Sequence, residues 1–235
     1  MADRYQRQIP IIGAGGQRKL RYSTAAVIGL GGLGCNVITH LASAGVGKFV
    51  LADNSTIDAT NLNRQFAYSQ KDVGALKTER AAEWIKRIDP KADVTEVCAD
   101  MNEDNVSLLG KCDLIIDCLD NRRSRLAVNR YAYVNKINTV HGGVESLYGQ
   151  VTVMIPGATP CLECILPEGG TDSVAAISPM VGIIGSIQAL EAVKLLSGKG
   201  SSLSGKLLHI DASDNSYRVL DIKKRDGCGC CSAKI

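Results

Sequence analysis

Net charge, long apolar stretches and histidine are all scarce in this 235-residue chain, and each scarcity excludes something. The formal net charge is only +3, with lysine and arginine scattered rather than gathered, so bulk charge makes no case for nucleic acid or a membrane surface as partner. An anionic ligand must then be met locally. No apolar run approaches the ~20 residues that a membrane-spanning helix needs, and Met1-Ala2-Asp3-Arg4-Tyr5-Gln6 does not open like a signal peptide. A cytoplasmic protein is the expectation. The three histidines, His40, His141 and His209, show no metal or catalytic spacing, and no Ser-His-Asp arrangement is visible. They read as structural, which leaves the chemistry to cations, a divalent metal and positioning. Internal repeats, low-complexity tracts and long linkers are absent too. A chain of this length buries roughly 70–75% of its unfolded surface, so residues 1–235 are expected to form one domain, with an N-terminal half at 1–145 and a C-terminal half at 146–235.

The hydrophobic pattern is that of an α/β protein. Residues 24–28 are a short apolar run ending in Gly29-Leu30-Gly31-Gly32-Leu33-Gly34, after which Val37, Ile38, Leu41 and Ala42 recur at helical spacing. Residues 49–52 make a second buried strand that stops at Asp53, which completes a strand–helix–strand crossover and starts a parallel sheet. A helix over 75–88, strands at 94–98 and 114–118 and a helix over 122–135 continue the pattern. Beyond the run at 138–141, the runs at 150–154, 207–210 and 217–222 are separated partly by turns and predict added antiparallel strands. The segment 179–196 predicts an apolar helix that is buried or used between subunits. The loop 166–178 is the natural mobile element.

The glycines Gly29, Gly31 and Gly34 stand between a strand and a helix, with Asp53 about 20 residues on. Backbone amides and a helix N-terminus in such a turn favour phosphate, and a carboxylate there suits ribose hydroxyls. The turn alone does not separate NAD from ATP. Asn61-Leu62-Asn63-Arg64-Gln65-Phe66 and Lys77 follow the second strand, where two cations would offset a triphosphate and a departing pyrophosphate; the plainer alternative is an exposed loop and a solvated lysine. Asp120 and Asn121 follow the strand at 114–118, and Asp120 either serves magnesium or caps the next helix. Cys161-Leu162-Glu163-Cys164 and Cys228-Gly229-Cys230-Cys231 form two CxxC knuckles, whose four outer thiolates suit a closed structural zinc, with Cys230 a spare thiol. Cys35, Cys98, Cys112 and Cys118 fall in apolar contexts that predict core positions.

Arg4-Tyr5-Gln6-Arg7-Gln8, the glycine turn, Asn61 to Gln65, Asp117 to Asn121, both CxxC pairs, Ala42 to Gly47 and Gly182 to Ser186 together resemble the MoeB/ThiF/HesA family, relatives of ubiquitin-activating enzymes. The resemblance runs over nearly the whole chain. It implies a Rossmann-like, mostly parallel sheet with added antiparallel strands and a zinc site of four cysteines. It also implies adenylation, with magnesium and ATP, of the C-terminal glycine of a small ubiquitin-like (β-grasp) sulfur-carrier protein ending in Gly-Gly. On this resemblance Gly32 and Asp53 hold the nucleotide, Asn61, Arg64 and Lys77 bind phosphates, Asp120 and Asn121 serve magnesium and phosphate, and Arg7 crosses from the second subunit of a homodimer. The loop 166–178 lacks the cysteine that many relatives carry, which argues against a covalent thioester, and sulfur is expected from a separate donor protein. Two other classes stay open. One is a NAD-dependent oxidoreductase; the other is a protein that scaffolds the carrier, or an enzyme that adenylates a peptide or small acid.

Overall fold

The computed structural model describes residues 4–166 and 175–232. One eight-stranded sheet runs through it in the order β3-β2-β1-β4-β5-β6-β7-β8. The strands are β1 (Thr24–Ile28), β2 (Lys48–Ala52), β3 (Asp93–Val97), β4 (Leu114–Asp117), β5 (Asn138–Glu145), β6 (Tyr148–Met154), β7 (Lys206–Asp211) and β8 (Ser216–Asp221). The first five pair in parallel. The last three join antiparallel, so the mixed sheet expected from the turn-separated late runs is found. β1 lies between β2 and β4, and Ala25, Ala26, Val27 and Ile28 are all fully buried, as a central strand covered on both faces requires.

Helices pack on both faces: α1 (Ile9–Tyr22), α2 (Gly32–Ala44), α3 (Lys77–Ile88), α4 (Arg122–Val134), the short α5 (Leu162–Ile165) and α6 (Ser178–Ser197). The sequence reading did not anticipate α1. Its run Gly13-Ala14-Gly15-Gly16 obscures the period, and Gly13 sits at φ +78° within it, yet Ile12, Gly16 and Leu20 recur every fourth residue and face inward. Gly16 brings α1 onto α6, where an added Cβ would lie 3.2 Å from that of Ser197. α2 ends on Gly45 in the left-handed region at φ +88°, whose N–H returns to the carbonyls of Leu41 and Ala42.

Two expectations need correction. α6 is long and apolar enough by length and composition to cross a bilayer, contrary to the reading that no such run exists, but more than half of it is buried. It packs so closely on α2 that a Cβ at Gly185 would meet Asn36, so much of its apolar surface is buried inside the domain, while Leu190 stays exposed. Cys98 is exposed just past β3 and Cys112 is half-buried, whereas Cys35 and Cys118 do lie in the core. His141 is paired: its Nδ1 is 2.7 Å from Asp117 Oδ2. The expectation of mobility for loop 166–178 falls mostly on residues 167–174, which lie outside the described residues.

Candidate active site

The topology reverses at β1, because the chain moves outward to β2 and β3 before returning to β4. Such a switch point leaves a crevice at the carboxyl ends of the strands. Here that crevice is a cleft of about 180 Å³ lined by Gly29, Gly31, Asp53, Asn61, Arg64, Gln65, Lys77, Asp120 and Asn121 among others. Residues spread over nearly a hundred positions of sequence therefore meet.

The glycine turn is built by close approach. Gly29 has φ +88°, and a Cβ on it would lie 2.6 Å from the Cys118 carbonyl oxygen of the neighbouring strand end. Gly34 does not line the cleft; a Cβ there would run into the Gly29 carbonyl, so this glycine serves the seating of α2 on β1. Gly32 opens α2 and faces an adjoining cavity rather than the cleft. Tyr68 is a supporting residue that sequence reasoning missed. Its buried hydroxyl donates to the Leu30 carbonyl at 2.8 Å, and burial pushes its pKa far up. Only its position a few residues beyond Gln65 hinted at it.

Asp53 accepts the Leu30 N–H through Oδ2 at 2.7 Å and the Ser55 N–H through Oδ1 at 2.8 Å, which fixes the carboxylate while each oxygen keeps a free lone pair. Asn61 Oδ1 accepts the Asp58 N–H at 3.1 Å in a capping box, leaving its amide N–H groups for the cleft. Arg64 donates to the Thr60 carbonyl at 3.1 Å and to Asn63 Oδ1 at 2.9 Å, holding it on the rim. Lys77 is not the solvated lysine of the plainer reading: it is the first residue of α3 and 8% exposed. Its ammonium makes no ion pair among the described residues. Gln65 is 3% exposed, and its Oε1 is buried with no hydrogen-bond partner among the described residues. A buried orphan acceptor is costly in isolation, so it marks where a donor belongs.

The competition between roles at Asp120 is resolved by its neighbour. Asn121 caps α4, its Oδ1 accepting the Ser124 N–H at 2.8 Å, so Asp120 is left exposed at the cleft without a capping duty. The loop between them is held from beneath. Asp117 Oδ1 accepts the Leu119 N–H at 3.1 Å, Gln188 Nε2 donates to the Asp117 carbonyl at 2.9 Å, and the Arg125 guanidinium donates to the Leu119 carbonyl. Burial alone would raise the Asp117 pKa, but the hydrogen bond and charge of His141, with Arg125, outweigh it and hold it below the usual carboxylate range. Cys118 beside it is pushed well up by burial, which makes it a poor nucleophile.

The cleft shares Arg64, Cys118, Leu119 and Asp120 with a second cavity of about 270 Å³. Gly32, Gly143 and Gly149 line that cavity; a Cβ at Gly32 would strike Val181 and one at Gly149 would strike Ile184 and Met180, whereas one at Gly143 would make ordinary contact with Gln150. Arg7 is exposed and lines neither cavity.

Far from the cleft, Cys161, Cys164, Cys228 and Cys231 bring their sulfurs within 4.8 Å of one another. Cys161 Sγ is 3.6 Å from Cys228 Sγ, and Cys164 Sγ is 3.3 Å from Cys231 Sγ. Tetrahedral zinc with Zn–S bonds of ~2.3 Å requires sulfurs about 3.8 Å apart, so the donor set and its spacing fit that metal. Cys230 is not among the four. It accepts an N–H from Asn129 Nδ2 at 3.3 Å, while Asn129 Oδ1 accepts the Leu162 N–H at 2.9 Å, so one side chain ties both knuckles together.

The switch point of a Rossmann-like sheet gathers Asp53, Arg64, Lys77 and Asp120, and similarity to proteins named adenylyltransferases makes the chain an enzyme of that class. The chain belongs to the ThiF family, whose model matches residues 5–230. It is 36% identical to the molybdopterin-synthase adenylyltransferase of Escherichia coli, over 97% of this chain and 95% of that protein. It is 35% identical to the SAMP-activating enzyme E1 of Haloferax volcanii, over 97% of this chain and 88% of that protein. Among solved structures, E. coli MccB with ATP shares the fold at a TM-score of 0.86 and 22% identity, covering 98% of this chain and 75% of that one.

Proposed function

We propose that this protein activates the C-terminal glycine carboxylate of a small ubiquitin-like sulfur-carrier protein with ATP. The observation that carries the reading is the junction of the two cavities at Arg64 and Asp120. A polar cleft at the switch point meets a second cavity lined by Gly32, Gly143 and Gly149 at the residues best suited to a transferring phosphate. The names of the two curated relatives support the substrate class, and the ATP-bound fold neighbour supports the nucleotide.

In this reading Asp53 holds the ribose and the amides of the glycine turn meet phosphate oxygens. Gln65 and Asn61 supply amide hydrogen bonds. The carrier carboxylate oxygen bonds to the α-phosphorus as the bond to the bridging oxygen of pyrophosphate breaks. Lys77 and Arg64 offset the charge that gathers on the leaving group. Asp120 would hold magnesium, which draws charge from the phosphate oxygens. The product is a carrier acyl-adenylate, passed to a separate sulfur donor without a covalent enzyme thioester. Zinc at the four cysteines is structural. Arg7, remote from its own cleft, is offered to that of a second copy in a homodimer; residues 1–235 act as one domain, in the cytoplasm.

The test is ATP–pyrophosphate exchange with a candidate carrier ending in Gly-Gly. Exchange that depends on the carrier is expected. Exchange with a short peptide or small acid, but with no carrier, would replace this reading by peptide or small-acid adenylation. Nucleotide competition in which NAD displaces ATP would favour an oxidoreductase instead.

A further inference from the structure

Asp117, His141 and Gln150 form a row across three adjacent strands at the sheet's carboxyl end, and the row runs from full burial to the wall of the second cavity. Asp117 on β4 is in register with His141 on β5, and the imidazole is completely buried. On β6, Gln150 is in register with Gly143 and not with His141. The Gln150 side chain lies beside Gly143, where a Cβ would stand in ordinary contact, 3.4 Å from Gln150 Cγ and Nε2. The carboxamide thereby reaches His141, with Nε2 3.3 Å from Nε2 of the imidazole.

This geometry dictates which atom carries which proton. The Asp117 carboxylate accepts from Nδ1, so Nδ1 bears the hydrogen, and Nε2 of the neutral ring is an acceptor. Gln150 must present an N–H to it. An amide flip would oppose two acceptors in a buried site, so the ring fixes the orientation of the carboxamide. Its Oε1 takes no hydrogen bond from the described residues and belongs to a side chain lining the cavity. What the row builds is an oriented acceptor on the wall of the second cavity.

We infer that Asp117 and His141 are positioning residues that lock the Gln150 carboxamide so that its oxygen accepts a backbone N–H from an extended peptide tail threaded through the second cavity. The inference rests on the reading above and deepens it. It assigns recognition of the peptide backbone, as distinct from the terminal carboxylate, to residues outside the nucleotide cleft. A lone glutamine in water would spend its time in several rotamers, whereas this one is ordered before the tail arrives, which lowers the cost of binding. An acceptor of this kind distinguishes a peptide N–H from an ester oxygen, since the latter leaves it facing a second acceptor.

The experiment is carrier-dependent ATP–pyrophosphate exchange with full-length enzyme. The variants are Gln150→Ala and His141→Asn, the latter because a shortened amide still donates to Asp117 but cannot reach Gln150. Each is expected to raise the carrier KM about 3–10-fold, the worth of one neutral hydrogen bond, with the KM for ATP unchanged. A semisynthetic carrier in which the last peptide N–H is replaced by an ester oxygen should lose a similar factor on the unaltered enzyme and little further on Gln150→Ala. If the N–H one residue earlier is the one read, the same pattern appears with the ester moved by one position. Unchanged carrier KM in both variants overturns the inference while leaving the adenylation reading standing, as does an additive loss for both ester positions. Absence of exchange by the unaltered enzyme with any such carrier overturns both.

Discussion

The nucleotide cleft and the cysteine cluster are both polar clusters assembled from distant segments, and they end in opposite states. In the cluster, sulfurs face sulfurs, and Asn129 and the Tyr133 hydroxyl, 3.2 Å from the Cys231 carbonyl, tie up the surrounding backbone. In the cleft, the Lys77 ammonium has no ion pair among the described residues, Gln65 Oε1 is an orphan, and Asp120 is relieved of capping by Asn121. A site that closes on itself stabilises a fold. A site held rigid from behind and left open in front binds something.

The largest expected effect tests the closed half. If the four thiolates bind zinc, purified protein contains about one zinc per chain, and Cys161→Ser or Cys228→Ser costs about 5 kcal/mol, a fall in Tm of roughly 10–20 °C for a domain of this size. Metal analysis and calorimetry check it, and zinc-free native protein would erase the contrast with the cleft. Next comes the open half. Lys77→Ala and Arg64→Ala should each lower pyrophosphate exchange about 10²–10³-fold, equivalent to ~2.7–4 kcal/mol of transition-state stabilisation, with Tm nearly unmoved. Near-normal exchange in both variants would remove these cations from the chemistry.

A smaller effect separates scaffolding from binding within the glycine turn itself. Gly34→Ala forces a methyl group onto the Gly29 carbonyl and should destabilise the protein by about 1–3 kcal/mol in urea unfolding. Gly31→Ala, whose Cβ would lie 3.7 Å from Gln65 Nε2, should cost little stability and act on nucleotide affinity instead.

The smallest effect is a pH dependence from the buried pair under the cleft. Burial lowers the His141 pKa from its ordinary 6.5, so the unfolded chain binds the extra proton first and stability falls as pH drops below about 6.5 toward the folded value. Asp117, held below its ordinary 3.8, adds a further loss only as pH falls below that value. The groups facing the imidazole are Asp117 from β4, Arg125 from α4 and neutral Gln150 from β6. The slope in the upper window is at most about 1.4 kcal/mol per pH unit from this group, measurable as the difference between the parent protein and His141→Asn in urea titrations at several pH values.

The parallel core was legible in the sequence because apolar runs bounded by glycine and aspartate mark buried strands directly. The late antiparallel strands were legible from the turns between them. α1 was not, because three glycines obscure its face and its burial comes from α6, more than 150 residues away. In the cleft, residue types and spacing pointed to Asp53, Arg64, Lys77 and Asp120. What they did not reveal was that Lys77 is sheltered, which is a matter of packing at the start of α3, or that Asn121 rather than the adjacent Asp120 takes the α4 cap, since both residue types cap helices. The Asp117–His141–Gln150 row was invisible for a similar reason: Asp117 meets His141 through strand register and Gln150 reaches it diagonally from the next strand, and no local pattern encodes either.

The cysteine cluster also has a mechanical consequence. It fastens residues 228–231, which follow the weakly covered edge strand β8, to α5 in the middle of the chain. Tension applied at residue 232 is therefore delivered, with metal in place, to four coordinate bonds before it can peel β8 from β7. The sheet's most exposed edge is shielded from load by a clasp placed beyond it, and any partner that tugs on that end pulls against the body of the domain instead.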